Sequence, residues 1–220
     1  MYNGCMTETD AIEVVDPGEL ERGAVTGLRY GERLATIFYD ESPANPREEF
    51  SQVATLVLNG GRRYKFASEV SEDLWKGARN YEELRRDLIR ECDPLIICPV
   101  YAYDHSGLTL KVGRNDKNPF TVDAEWDSAQ VGFAFVSKVK YAEAGGPANP
   151  STEDLLALLD AEVDEYSHYL NGDVYGYVVT GPGDEASGCW GFYDLDEAIV
   201  AAKEDLGLDV DIVQDVSTIA

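Results

Sequence analysis

The chain has 220 residues, 42 of them acidic and 18 basic, giving a formal net charge of −24. With 44% hydrophobic residues it is apolar enough to build a core, which excludes disorder over most of its length. No apolar run is long enough to cross a membrane, and the start MYNGCMTETDAIEVVD lacks the basic and apolar regions of a signal peptide, so neither is expected.

Residues 1–28 are polar and acidic, and Pro17-Gly18 and Gly23 interrupt any period, so they read as a flexible acidic tail. Arg33–Tyr39 is β-branched and aromatic enough for a strand. The two prolines of Asp40–Glu49 predict an irregular loop. Gln52–Leu58 is a second strand, Asn59-Gly60-Gly61 a hairpin signal, and Arg62–Phe66 a third strand. Ser71 caps a short turn through Trp75 and Ala78. Asn80 caps a helix over Tyr81–Glu91, with Leu84, Leu88 and Ile89 at helical spacing, and Asp93-Pro94 stops it.

Leu95–Tyr103 is too continuously apolar for an exposed strand and is expected at the centre of the fold, with Pro99 marking a bulge or a sheet edge. A turn at Asp104–Gly107 leads to the strand Leu108–Val112, and Gln130–Val136 is another. Gly145–Pro150 reads as a linker. Ser151 then opens the longest helix, 152–170, in a capping box with Asp154. Leu155, Leu159, Val163, Tyr166 and Leu170 form its apolar stripe. Val174–Thr180 and Cys189–Tyr193 are strands, and Asp194 caps a last helix through about Leu206. Strands and helices mix without regular alternation. The expected class is α+β: a mainly antiparallel sheet with three to four helices. The expected domains are a tail at 1–28, a single α+β domain at 29–206, and a C-terminal strand or tail at 207–220.

The acid surplus has two readings. A lysine-poor, acidic surface stays hydrated in concentrated salt, where the Debye length falls to about 3 Å at 1 M and self-repulsion is screened. Alternatively, carboxylates imitate the phosphate track of DNA, for which helix 152–170 carries the densest set: Asp154, Asp160, Glu162, Asp164 and Glu165. Together with Trp126, these are the candidate partner-binding residues. Direct nucleic-acid binding is not expected, because Arg62-Arg63 and Arg85-Arg86 are the nearest approach to a basic stripe and both have acids nearby.

Cys5, Cys92, Cys98 and Cys189 form no CxxC pair and the histidines complete no zinc spacing, so no metal site is read. The glycine pairs Gly60-Gly61 and Gly181-Pro182-Gly183 precede no helix with a phosphate-binding anchor, so no nucleotide cofactor is read either. The most chemical-looking segment is Tyr103-Asp104-His105-Ser106-Gly107. It reads either as an acid–base or metal site using Asp104 and His105, with Asp127 and Asp173, or as a turn whose side chains cap their own backbone. Trp126, among polar groups, either clamps a partner or packs beneath a turn capped by Asp127. His168 on the long helix reads as a half-buried residue.

Several segments together resemble an uncharacterised family of proteins encoded by tailed viruses and mobile elements of prokaryotes. They are Asn45-Pro46-Arg47, Tyr103-Asp104-His105-Ser106-Gly107, Trp126-Asp127-Ser128-Ala129-Gln130-Val131-Gly132 and Cys189-Trp190-Gly191-Phe192-Tyr193. The chain departs from the family pattern at Phe50-Ser51-Gln52 and Gly60–Arg62. The resemblance implies a viral or mobile-element origin and supplies no activity. The expectation is a non-enzymatic accessory protein that binds a host or viral protein in the cytoplasm of a salt-adapted host, in its sharper form an acidic DNA mimic. A metal-dependent hydrolase or nucleotide-processing enzyme built on Asp104 and His105, and a minor virion component, are the alternatives.

Overall fold

The computed structural model describes residues 12–60, 64, 66, 69–70, 72–105, 107–120, 127–183 and 186–208. In chain order the first elements are β1 (Glu13–Val15), β2 (Ala24–Tyr30), β3 (Arg33–Tyr39), α1 (Pro46–Glu49), β4 (Ala54–Leu58), α2 (Glu72–Gly77) and α3 (Tyr81–Cys92). Then come β5 (Pro94–Asp104), β6 (Leu108–Val112), β7 (Ser128–Ser137), α4 (Lys138–Glu143), α5 (Thr152–Asn171), β8 (Tyr175–Thr180), β9 (Ala186–Phe192) and α6 (Leu195–Asp205). The class is α+β with antiparallel sheets. The strands expected in one sheet divide between two, because the chain folds as two compact units: 1–44 with 172–220, and 45–171. No helix among the described residues is long and apolar enough to cross a membrane.

The first unit carries a five-stranded sheet in the order β1-β2-β3-β8-β9. Leu28, Ala35, Ile37, Tyr175, Tyr177 and Val179 line one face and pack against Ala198, Ala202 and Leu206 of the α6 segment. Asp194 starts α6 as expected, its carboxylate accepting from Asp196 N at 2.6 Å and Glu197 N at 3.2 Å. The tail reading fails over the described part of 1–28, where β1 and most of β2 form. The residues read as breakers are turn and packing residues instead. Asp16 Oδ1 accepts from Gly18 N at 2.7 Å, closing a single 3-10 turn at Pro17–Glu19. Gly27 lies inside β2 because a Cβ there would come within 2.8 Å of Leu20. Residues 1–11 and 209–220 lie outside the described set.

The second unit carries the sheet β4-β7-β5-β6. Strand alternation sends Leu56, Cys98, Val100, Leu110 and Ala134 to one face, against Leu155, Leu159, Val163 and Tyr166 of α5. The other face carries Val57, Phe133 and Phe135 against Leu84 and Leu88 of α3. The Asn80 cap and the Ser151–Asp154 box form as expected: Asn80 Oδ1 accepts from Glu83 N at 2.9 Å, and Ser151 Oγ accepts from Asp154 N at 3.1 Å. β5 is the central apolar strand. Pro99 is tolerated there because its carbonyl accepts from Gly113 N, just past the end of β6, and its ring nitrogen costs no ladder bond within β6. A register shift follows at Val100/Tyr101. The segment Gly145–Pro150 joins α4 to α5 within this unit. The strand expected at 62–66 falls largely outside the described residues; Tyr64 N donates to Gly60 O at 3.3 Å.

Candidate functional site

The Asp104–His105 turn closes the β5–β6 hairpin, with Asp104 opposite Leu108. Successive strand residues face opposite sides of the sheet, so Tyr103 and Asp104 diverge. His105 stacks on Tyr103, ring centroids 6.1 Å apart, and Tyr103 meets Phe120 at 5.3 Å. Lys111 Nζ sits 5.7 Å from the Phe120 ring centre. His105 Nδ1 lies 3.4 Å from an Asp127 carboxylate oxygen, with side-chain exposures of 68% and 48%. The structure therefore brings His105 and Asp127 together at a wet surface, beside an aromatic ladder rather than in a cleft. Asp173 belongs to the other compact unit, near Tyr175. Among the described residues no group of three His, Cys, Asp or Glu could hold a metal ion. Ser106 and Trp126 lie outside the described residues.

The α5 acids do not form one exposed track. Asp154 is tied to its helix cap by Ser151 N, at 3.4 Å. Asp160 accepts from Arg114 at 2.6 Å, and Glu165 accepts from Gln52 Nε2 at 3.0 Å. Only Asp164 and Asp154 of the five are exposed. Glu162, expected on the partner-binding face, is buried. Its position falls three residues after Leu159 and four before Tyr166, inside the helix's buried face.

What buries Glu162 is a charge network that no local signal in the sequence announced. Asn45 caps α1, its Oδ1 accepting from Arg47 N at 3.0 Å, and Pro46 stands in the first turn, where a missing N–H costs nothing. The expected irregular loop thus contains one helical turn, and that turn aims Arg47 inward. The Arg47 side chain is 0% exposed. It donates to Glu162 Oε2 at 2.8 Å, to Glu69 Oε1 at 2.8 Å and to the Ala54 carbonyl at 2.7 Å. Glu162 also accepts from the backbone N–H groups of Val53 and Ala54, at 2.8 and 3.0 Å. Glu69 accepts from Leu56 N at 3.3 Å, and Lys140 approaches it at 3.4 Å. Two carboxylates thereby occupy the outer edge of β4. At the opposite edge of the same sheet, Asn171 brackets Leu108: its Oδ1 accepts from Leu108 N at 2.8 Å and its Nδ2 donates to Leu108 O at 2.6 Å. Ser167, one helical turn earlier, accepts from Leu110 N at 3.0 Å. Both edges of the four-stranded sheet are capped by side chains, much of the capping from a single helix.

The five-stranded sheet ends differently. β9 has β8 on one side and no strand on the other among the described residues. Its first six residues are all exposed. Trp190 is 49% exposed and stacks on Phe38, centroids 6.3 Å apart. The two rings meet across Gly176, whose missing side chain leaves room for the indole. A hollow of about 730 Å³ opens beside the start of this strand, lined by Arg33, Val179, Pro182, Ser187 and Leu206 among others. Burial first, then the Asp205 carboxylate, pushes the Tyr177 hydroxyl above its ordinary range. Tyr175 and Tyr177 themselves are core residues of this sheet. Compared with protein-family models, curated proteins and solved structures, the chain matches none of them.

Proposed function

We propose that this chain is a non-enzymatic accessory protein that works by binding another protein, and that the open edge of its five-stranded sheet makes the contact. The observation that carries the reading is β9: an exposed edge strand ending in a half-exposed tryptophan. A bare edge is a template for pairing with another chain, and natural sheets normally blunt it. Tryptophan is a residue type that dominates binding energy at protein interfaces. The alternative enzyme reading has weaker support, since the His105–Asp127 pair is exposed and water-screened. The DNA-mimic form is also less well supported, because most α5 acids are engaged within the fold. The resemblance of the quoted segments to proteins of tailed viruses and mobile elements supports a partner in a prokaryotic host cytoplasm.

The test is affinity capture from host extract at native salt, run with the wild-type chain and with Trp190→Pro, which removes the exposed ring and one backbone N–H of the edge strand. A protein retained in stoichiometric amount by the wild type and lost by the variant supports the reading. Equal retention by both, or none by either, sinks it. The acid surplus is read as solvation for concentrated salt. Its check is a melting temperature that rises between about 0.1 M and about 2 M KCl, as screening relieves repulsion; a flat or falling curve counts against salt adaptation.

A further inference from the structure

We propose that β9 takes up an extended, arginine-bearing segment of the partner as a sixth strand of the five-stranded sheet. This rests on the protein-binding reading above and names the partner's chemistry.

The ladder determines which groups are free. Asp40 N donates to Val174 O at 2.7 Å, at the end of the β3–β8 register. Antiparallel alternation then turns the backbone groups of Gly176 and Val178 toward β3, and those of Tyr177 and Val179 toward β9. Tyr177 pairs with Cys189 and Val179 with Ser187. Gly188 and Trp190 therefore direct their N–H and C=O groups away from β8. A weak thiol contact from Cys189 reaches the Trp190 carbonyl at 3.9 Å. β9 carries no charged residue and no proline to repel an incoming strand.

The occupant is another chain, by a handedness argument. Ser187 turns its side chain to α6, where it donates to Asp205 at 2.7 Å, while its backbone faces β8. For L-residues, viewed from α6 with β9 pointing up, β8 then lies on the right and the open edge on the left. A strand following α6 and parallel to β9 would reach that edge only by a left-handed crossover, and about 98% of such connections are right-handed.

Charge identifies the chemistry. Between Lys140 and Lys203 the chain has no lysine or arginine, so β8, β9 and most of α6 come from a stretch without a strong cation. A second copy of a chain with net charge −24 is repelled, and a cationic segment is attracted. An added strand would alternate its side chains between two faces. On the α6 face they meet Asp205, which bonds Ser187 and lies 3.9 Å from Arg33, and Glu204, whose charge reaches Tyr177, so that two carboxylates face one cation there. On the other face they meet Trp190, half-exposed over Gly176 and suited to stacking against a guanidinium.

The test titrates the full chain with three synthetic peptides: alternating arginine and valine, alternating arginine and proline, and alternating glutamate and valine. The arginine–proline peptide has the same charge but cannot form a strand ladder. Amide protection is read by NMR. The expected result is protection at Gly188 and Trp190 by the arginine–valine peptide, about tenfold tighter than the arginine–proline peptide, and no binding by the glutamate peptide. Trp190→Ala weakens the arginine–valine peptide about fivefold, and Trp190→Phe recovers part of that loss. Equal binding of the two arginine peptides, or protection confined to α5, overturns the proposal. If the peptides fail while Trp190→Pro still abolishes capture of a host protein, the arginine chemistry is wrong and the protein-binding reading stands; if the host capture fails as well, both fall.

Discussion

The two sheets of this protein treat their edges in opposite ways. The four-stranded sheet spends a buried arginine, two carboxylates, an asparagine and a serine on backbone groups that no neighbouring strand satisfies. The five-stranded sheet ends at β9 in exposed side chains, with nothing comparable at its outer edge among the described residues. Sealing an edge removes a pairing template, and leaving one open keeps it. The contrast teaches where to look for a partner: a chain that closes two edges so thoroughly in one unit has left an edge available in the other.

The largest expected effect comes from breaking the seal at β4. Arg47→Ala leaves buried Glu162 and half-buried Glu69 without their common cation, and is expected to cost about 3–5 kcal/mol in denaturant unfolding. Should that variant fail to fold, Glu162→Gln keeps the shape, and loss of amide protection at Val53 and Ala54 reads the same seal. A change in unfolding free energy below about 1 kcal/mol for Arg47→Ala would mean that the network is not holding the edge.

Next comes β6. Asn171→Ala removes both bonds to Leu108 and is expected to cost about 1–3 kcal/mol. Hydrogen exchange should then speed up at Leu108, toward the rapid exchange expected for Gly188 and Trp190 in the unbound wild type. If Gly188 and Trp190 prove as protected as Leu108 in the free protein, the comparison between the sheets collapses.

His105→Ala, at the exposed hairpin end of the sealed sheet, is expected to stay within about 0.5 kcal/mol of wild type. A larger loss in thermal unfolding would give the His105–Asp127 pair a structural weight that its exposure argues against.

The smallest effect is on reactivity rather than stability. Burial, reinforced by the Asp116 and Asp160 carboxylates, pushes the Cys98 thiol up to about 11 in the sealed unit, with Arg85 and Arg114 opposing. Cys189, on β9, is exposed. Mass-mapped alkylation at pH 8 should therefore label Cys189 and spare Cys98. Because the folded thiol binds its proton more tightly than the unfolded one, this contribution to stability is full below the ordinary thiol range. It fades as pH rises through about 11. Labelling of Cys98 as fast as Cys189 would show that the four-stranded unit opens readily.

Much of this architecture is local and could be read residue by residue. Asn80, Ser151 and Asp194 each satisfy helix N–H groups a few residues away, so their helices start where the caps stand. The α5 stripe recurs at the helical period, and Leu155, Leu159, Val163 and Tyr166 are buried accordingly. β3 and β6 occupy the very residues that their composition marked, Arg33–Tyr39 and Leu108–Val112. What misled the reading was also local. Gly18, Gly23 and Pro17 looked like breakers because a lone sequence does not say that the turns they build lie between two paired strands.

The candidate sites divide along the same line. That Asp104, His105 and Asp127 are polar groups near turns was evident from the sequence; that His105 and Asp127 meet, at a wet surface, depends on strand alternation and on where β7 pairs with β5. The sequence by itself determined the longer helices, most of the later strands, the caps and the charge of −24, because these depend on neighbours a turn or a strand step away. Only the tertiary structure decided that Glu162 would be a buried partner of Arg47 rather than a surface acid, since those residues stand 115 positions apart. It likewise decided that β9 would be an edge. Which strand ends a sheet is a property of the pairing of all the others, and no residue of β9 carries it alone.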